Sequence, residues 1–140
     1  MTYTFDERTV SDLHKDAFGF RPREYFWAEW NNATADQKQV IWDDLLDALE
    51  RTMEWERQQE QRSVADYLTR IQDMLSLGAR DENQARKWLV QSLEPTDMDL
   101  AYGGSWVVWS LGLPYSMKEQ FEEVCRELAQ AYDREVEEWA

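Results

Sequence analysis

Five acidic residues recur along one part of the sequence with the spacing of an α-helix. They are Asp36, Asp43, Asp47, Glu50 and Glu54, which we call the acidic stripe. At the 3.6-residue period of a helix they fall close to one line. Carboxylates on successive turns recur every ~5–6 Å, near the phosphate spacing of a nucleic-acid strand. The pattern predicts a surface that binds a basic protein in place of nucleic acid, although a row of acids is also typical of a solvated helix surface.

A second candidate surface is the aromatic segment PREYFWAEW, which spans residues 22–30. Its Trp27 and Trp30 are predicted, with the acidic stripe, to be partner-binding residues. The alternative is that Phe26 and Trp30, four residues apart on a helix, anchor the core. Only two arginines lie nearby in a strongly acidic chain, so stacking on nucleic-acid bases is disfavoured.

The residue types that usually carry catalysis are scarce. His14 is the only histidine, and we expect it on the surface or capping the end of the first helix, where a cation suits the helix dipole. Cys125 is the only cysteine, and we expect it to pack as a small hydrophobic residue. Sites that need two histidines, a phosphate-binding loop or an internal disulfide are excluded. We predict no enzymatic activity, no metal and no cofactor.

One enzymatic alternative stays open, a small metal-dependent hydrolase with acidic pairs on two facing helices. Its carboxylates would meet only if the chain bends near Gln61. The residues that such a bend would bring together are Asp44, Asp47 and Glu50 on one side and Asp66 or Asp73 on the other.

The composition is that of an acidic globular chain. With 140 residues, of which 43% are hydrophobic, we expect a single helical domain over residues 1–140. The 29 acidic and 15 basic residues give a net charge of −14, which repels nucleic acid and anionic membranes and favours basic partners. No signal peptide or membrane-spanning stretch is recognised, and a lone cysteine fits a reducing compartment. We therefore expect a cytoplasmic protein that binds neither nucleic acid nor membrane directly.

Helix start and stop signals recur through the sequence and predict an all-α fold, a compact bundle of five or six helices with no substantial sheet. A first helix is predicted to end before Gly19, and Pro22 is placed in the first turn of a second. Thr34 and Gln37 form a capping-box pattern that opens a long helical segment. Its stretch ERQQEQRS lacks apolar residues and predicts a bend or break near residues 59–63.

Further helices are predicted to open at Asp81 and after Gly104. A capping-box pattern at Ser116 and Glu119 is predicted to open the last helix, which extends to about Trp139. The residues predicted to form the core are Leu45, Leu49, Leu68, Ile71, Trp88, Leu89, Trp109, Phe121, Val124 and Leu128.

Two blocks of sequence together resemble small uncharacterised proteins of tailed bacteriophages and prophages. One block is SDLHKDAFGFRP, and the other is ARDENQARKWL followed by SWVVWSLGLPYS. The resemblance leaves out the long middle helix and the last helix. It carries no functional residue across, because that family has no assigned chemistry. It implies a virus-encoded protein acting in the cytoplasm of a bacterial host.

Charge pattern and resemblance together predict a non-enzymatic protein that inhibits a nucleic-acid-handling host protein by presenting a phosphate-like acidic helix face. The expected partner is a basic protein such as a restriction enzyme, a CRISPR complex or a recombination enzyme. The alternative is a structural or adaptor protein that associates through exposed aromatic residues, including with a second copy of itself.

Overall fold

The computed structural model describes the backbone of residues 2–139 and the side chains of residues 2–135. Within these limits the chain has no strand, which confirms the all-α prediction. Its helices are α1 (Val10–Phe18), α2 (Glu24–Asn32), α3 (Ala35–Ser76), α4 (Glu82–Ser92), α5 (Asp97–Tyr102), α6 (Gly104–Leu111) and α7 (Glu122–Trp139), with a 3₁₀ helix at Tyr115–Phe121. The described α-helices therefore number seven and not five or six, because α5 was not predicted.

Helix α3 runs unbroken through residues 59–63, so the predicted bend or break there is wrong. The stretch contains only residues of good or moderate helix propensity and neither glycine nor proline, and hydrogen bonding along the helix does not require an apolar residue in every turn. The chain nevertheless divides into two compact units, one up to Gln58 and one from Gln59 onward. The single domain expected over residues 1–140 stays a prediction.

The first unit holds a small core between α1, α2 and the first half of α3. Its buried residues are Val10, Leu13, Trp30 and Leu45. Gly19 ends α1 in the left-handed conformation (φ 86°) and donates its N–H to the Lys15 carbonyl, as the sequence predicted. Helix α2 begins later than predicted, because Arg23 is its extended N-cap residue and Pro22 precedes the helix.

The second unit holds the larger core, which Phe121, fully buried, joins from the 3₁₀ helix. The predicted capping box at Ser116 and Glu119 does not form, because this segment is the 3₁₀ helix and α7 starts only at Glu122. The 3₁₀ backbone lies against α6 so closely that a Cβ at Gly104 would be 1.9 Å from a carbonyl oxygen. No helix within the described residues has an apolar run long enough to cross a membrane.

Most of the predicted core residues lie in one of these two cores. The buried ones are Leu45, Ile71, Leu89, Phe121, Val124 and Leu128. Leu49 and Trp88 are half-buried. Leu68 (55% exposed) and Trp109 (79% exposed) were predicted wrongly. On α3 the neighbouring line through Tyr67 and Ile71 faces the core instead of Leu68, and α6 is apolar all round, so its sequence does not indicate an inner face.

Candidate functional site

The acidic stripe lies on the first half of α3, and all five of its side chains are exposed. Three of them have partners in the chain. The Tyr3 hydroxyl donates to Asp36 (2.6 Å), which raises the pKa of the tyrosine. Asp43 accepts a hydrogen bond from a neighbouring glutamine amide at 3.0 Å, and Arg57 forms an ion pair with Glu54.

The stripe stands on a helix segment that several contacts hold in place. The predicted capping box forms, since Gln37 N–H donates to the Thr34 hydroxyl (3.2 Å) and the Gln37 side chain accepts from Thr34 N–H (2.9 Å). The opposite side of the helix buries Leu45, and the Thr52 hydroxyl donates to the Ala17 carbonyl (2.7 Å). The inner face is therefore fixed in the first unit, and the carboxylates are held toward solvent.

The middle of the stripe combines unpaired charge with exposed apolar surface. Among the side chains of residues 2–135, Asp47 and Glu50 have no hydrogen-bond or ion-pair partner. Beside them, Leu46 (42% exposed), Met53 (51% exposed) and half-buried Leu49 form an apolar strip along an open groove of about 530 Å³. Exposed leucine and methionine next to carboxylates form a surface that is better suited to binding a protein than to contact with water or a small cation.

Trp30 is not available to a partner, so its prediction as a binding residue is wrong. Only 1% of its surface is exposed, because α2 packs it into the first core against Phe5 and Phe26. Its Nε1 donates to Glu7 (3.0 Å), and the Lys38 ammonium lies over its ring at 5.4 Å. The alternative that the sequence left open, a core anchor four residues from Phe26, is the correct one.

The other aromatic side chains of the segment differ in how much of their surface is exposed. Trp27 is half-buried and packs edge-on against Phe26 at 5.4 Å, so its role as a partner-binding residue stays a prediction. Tyr25 is 85% exposed and was not singled out from the sequence. The helical period does mark it, because Tyr25 lies on a different side of α2 from Phe26 and Trp30.

Glu7 joins the N-terminal segment to this core through charge. Lys38 donates to its carboxylate at 2.6 Å, and Trp30 donates to the other oxygen. Both hydrogen bonds favour the ionised carboxylate and lower the pKa of Glu7, with Lys38 as the larger cause. The first unit is therefore held partly by a charged network.

His14 is buried, so the surface position is wrong, and the alternative, a histidine that caps the end of the first helix, is the better description. Its Nδ1 lies 2.8 Å from the Phe20 carbonyl, which as an acceptor requires the proton on Nδ1. The ring packs against Phe18, Phe20 and Phe26 at centroid distances of 5.0, 5.3 and 5.2 Å. The side chain closes the α1 end by binding a carbonyl just beyond it, a structural role.

The other candidates for catalysis are placed in unsuitable surroundings. Cys125 is buried as predicted, and burial raises the pKa of its thiol to about 11, with a further contribution from the Glu122 carboxylate. The hydrolase alternative needed a bend near Gln61, which the continuous helix α3 lacks. Among the residues whose side chains are described, no group of three or more His, Cys, Asp or Glu residues is placed to hold a metal ion.

One polar cluster was not predicted from the sequence. The Lys118 ammonium donates to the Tyr115 hydroxyl (2.7 Å), and hydrogen bonds from Lys118 and Ser105 lower the pKa of the tyrosine. The three-residue spacing of Tyr115 and Lys118 was the available signal. Tyr115 is 64% exposed, so water reaches the phenol and weakens any charge stabilisation that the cluster provides.

Comparison of the chain with protein-family models, with curated proteins and with solved structures gives no match. The resemblance of two sequence blocks to phage proteins stays a prediction. The function therefore has to be inferred from the chemistry of the chain's own surfaces.

Proposed function

We propose that this chain is a non-enzymatic binding protein whose acidic stripe occupies a basic surface on a protein that handles nucleic acid. The observation that carries the proposal is the middle of the stripe, where Asp47 and Glu50 have no partner among the side chains of residues 2–135 and lie beside the exposed Leu46 and Met53. A basic groove that normally holds phosphates offers arginine or lysine to such carboxylates.

The apolar strip adds what charge alone does not supply. An exposed ion pair between a carboxylate and a basic side chain of the partner contributes about 0–1 kcal/mol. Four or five such pairs therefore give steering and specificity more than affinity. Burying the leucine and methionine side chains contributes roughly 25 cal/mol per Å² of apolar surface. A partner that covers both the acids and the strip gains from each of these sources.

The proposed setting is a phage protein in the cytoplasm of a bacterial host, acting against a restriction, CRISPR or recombination enzyme. It rests on the resemblance of the two sequence blocks and on the net charge of −14. The proposal assigns the inhibition to occupancy of the partner's nucleic-acid channel, with no chemistry, metal or cofactor on the side of this chain.

The test is capture from bacterial lysate by immobilised protein, compared with a variant in which Asp43, Asp47, Glu50 and Glu54 are lysine. We expect the variant to lose at least about 100-fold in affinity for the captured protein, or about 2.7 kcal/mol, because each attraction becomes a repulsion. Raising the salt from about 0.1 to 1 M should release the wild-type complex, and duplex DNA should compete with it.

The matched control reverses four exposed acids elsewhere, with the same change in net charge. Suitable positions are Glu60, Asp66, Asp73 and Glu123. The control should retain binding. If both variants bind as the wild type does, the stripe is only a solvated surface, and if both lose binding equally, net charge rather than the stripe is recognised.

A second candidate function, association through exposed aromatic residues, is favoured by the second unit. Tyr102, Trp109 and Tyr115 are 65%, 79% and 64% exposed. Large exposed aromatics are typical of binding surfaces. This association would survive high salt, whereas binding through the acidic stripe would not, so the salt series separates the two functions.

A further inference from the structure

A second groove in the first unit lies between α2 and the start of α3. Each helix contributes residues spaced by three, four and seven positions. The residues that line it are Tyr25, Ala28, Glu29 and Asn32 on α2, Ala33 after it, and Gln37, Val40, Ile41 and Asp44 on α3. The groove is open to solvent and measures about 670 Å³, within the range of pockets that bind ligands.

The shape of the groove follows from the sizes of its side chains. Ala28 and Ala33 are too small to fill the space between the helices, while Ile41 packs partly into the first core below them. Tyr25 and Val40 remain 85% and 59% exposed. The result is a trough that is lined in part by apolar side chains and that no described side chain of the protein fills.

The charge of the groove restricts what can enter it. Glu29 and Asp44 line it, and none of its described lining residues is lysine or arginine. Nucleic acid and acidic peptides are repelled by this rim. A second copy of the chain, with its net charge of −14, is repelled as well. The rim and walls are complementary to an apolar side chain flanked by basic residues.

We infer that the α2–α3 groove receives a basic amphipathic helix of the partner protein. Residues at helical spacing line the groove from both α2 and α3, and a helix of the partner that binds between them would use the helix-in-groove mode of recognition. Its apolar residues would lie between Tyr25 and Val40, and its lysines or arginines would face Glu29 and Asp44. This inference rests on the proposed function and gives the basic partner a defined structural element.

The test uses synthetic probes, so it does not depend on first identifying the partner. The main probe is a fluorescein-labelled helical peptide of lysine and alanine with leucines at positions i, i+3, i+4 and i+7. A second probe replaces the leucines with serine at unchanged charge, and a third replaces the lysines with glutamate. Fluorescence anisotropy measures their affinities for the full chain.

We expect the leucine probe to bind at least about tenfold more tightly than the serine probe, and the glutamate probe not to bind. Tyr25→Ser and Val40→Gln should bring the affinity for the leucine probe down to that for the serine probe. The matched control is Leu68→Gln, because Leu68 lies on α3, as Val40 does, and is similarly exposed. This control should leave the affinities for the probes unchanged. Methyl shifts at Ala28, Ala33 and Ile41 should locate the bound leucine probe.

The same probes distinguish failure of this inference from failure of the proposed function. Reversal of Asp47 and Glu50 to lysine should weaken both basic probes if the acidic stripe binds. If it does so while the groove variants change nothing, the groove inference is wrong and the proposed role of the stripe is kept. If the two basic probes bind equally, the groove inference is wrong whatever the stripe reversal does. If the stripe reversal changes nothing while the groove variants abolish binding, the proposed role of the stripe is wrong. Binding of a DNA oligonucleotide at the groove residues would overturn the inferred occupant.

Discussion

Two stretches of helix α3 present corresponding positions to solvent but carry different chemistry. In the first stretch these positions hold Asp43, Asp47, Glu50 and Glu54. Five turns later, at 3.6 residues per turn, they hold Gln61, Ala65, Leu68 and Gln72. All eight residues are exposed. The same helix therefore keeps an acidic line in the first unit and an uncharged line in the second.

The difference bears on why the acids are there. The second stretch shows that an exposed line of this helix is compatible with glutamine, alanine and even leucine, so solvation alone does not require four carboxylates. Like charges three or four residues apart on a helix repel one another. The first stretch thus carries a local cost that the second avoids, and such a cost is typical of a surface kept for binding.

The largest expected effect is on the free energy of unfolding, and it distinguishes a buried leucine in the first stretch from an exposed leucine in the second. Leu45→Ala removes a leucine that is 5% exposed in the first core and should cost about 2–5 kcal/mol in the free energy of unfolding. Leu68→Ala removes a leucine that is 55% exposed on the outer line and should cost less than about 0.5 kcal/mol. Urea denaturation measures both. A loss for Leu68→Ala as large as that expected for Leu45→Ala would mean that Leu68 is covered, and the outer line of the second stretch would then not be a solvent surface.

The sequence predicted several parts of the fold that depend on neighbouring residues, although the local Ser116–Glu119 capping box did not form. The Thr34–Gln37 capping box and the Gly19 helix end formed as predicted because each is a local hydrogen-bonding pattern. Helix α5 was not predicted although it also has a local signal, the capping box that Thr96 and Asp99 form. These elements could all be read from a few adjacent residues.

Burial was harder to predict because it depends on residues distant in sequence. Trp30 lies on a helix whose aromatics cover several sides, and only the packing of α2 against Phe5 and α3 decides that it is buried. The exposure of Leu68 and the α2–α3 groove likewise depend on how helices pack. The stripe was predicted from its spacing and is exposed as expected, whereas its apolar neighbours Leu46 and Met53 were not predicted to be exposed.

A smaller effect tests how the acidic stretch is anchored. Glu7 has a lowered pKa because Lys38 and Trp30 donate to its carboxylate, so its contribution is present above the unfolded pKa and is lost as the pH falls through the folded value. Glu7→Gln should therefore reduce stability at pH 7 and flatten its decline below about pH 4.5. Urea denaturation over a pH series measures both. An unchanged acid profile would show that the charged network does not hold the first unit.

The smallest expected effect concerns the cost of the stripe itself. Glu50 has Asp47 three residues before it and Glu54 four residues after it, and its other neighbours at these spacings are the uncharged Leu46 and Met53. Each like-charge pair destabilises a helix by about 0.2–0.5 kcal/mol. Glutamine has nearly the same helix propensity as glutamate, so Glu50→Gln removes the repulsion and little else. The variant should be more stable than the wild type by about 0.5 kcal/mol.

The matched control is Glu60→Gln, the same substitution on the same helix but in the second unit. Glu60 has an acid, Glu56, four residues before it and a base, Arg57, three residues before it, so attraction and repulsion roughly cancel. Its stability should change by less than about 0.2 kcal/mol. At about 1 M salt the Debye length falls to about 3 Å, and the gain from Glu50→Gln should largely disappear because screening already removes the repulsion. A gain that persists in high salt, or no gain in low salt, would mean that the carboxylates do not strain the helix. The contrast between the two stretches of α3 would then be no argument that the acids are kept for a partner.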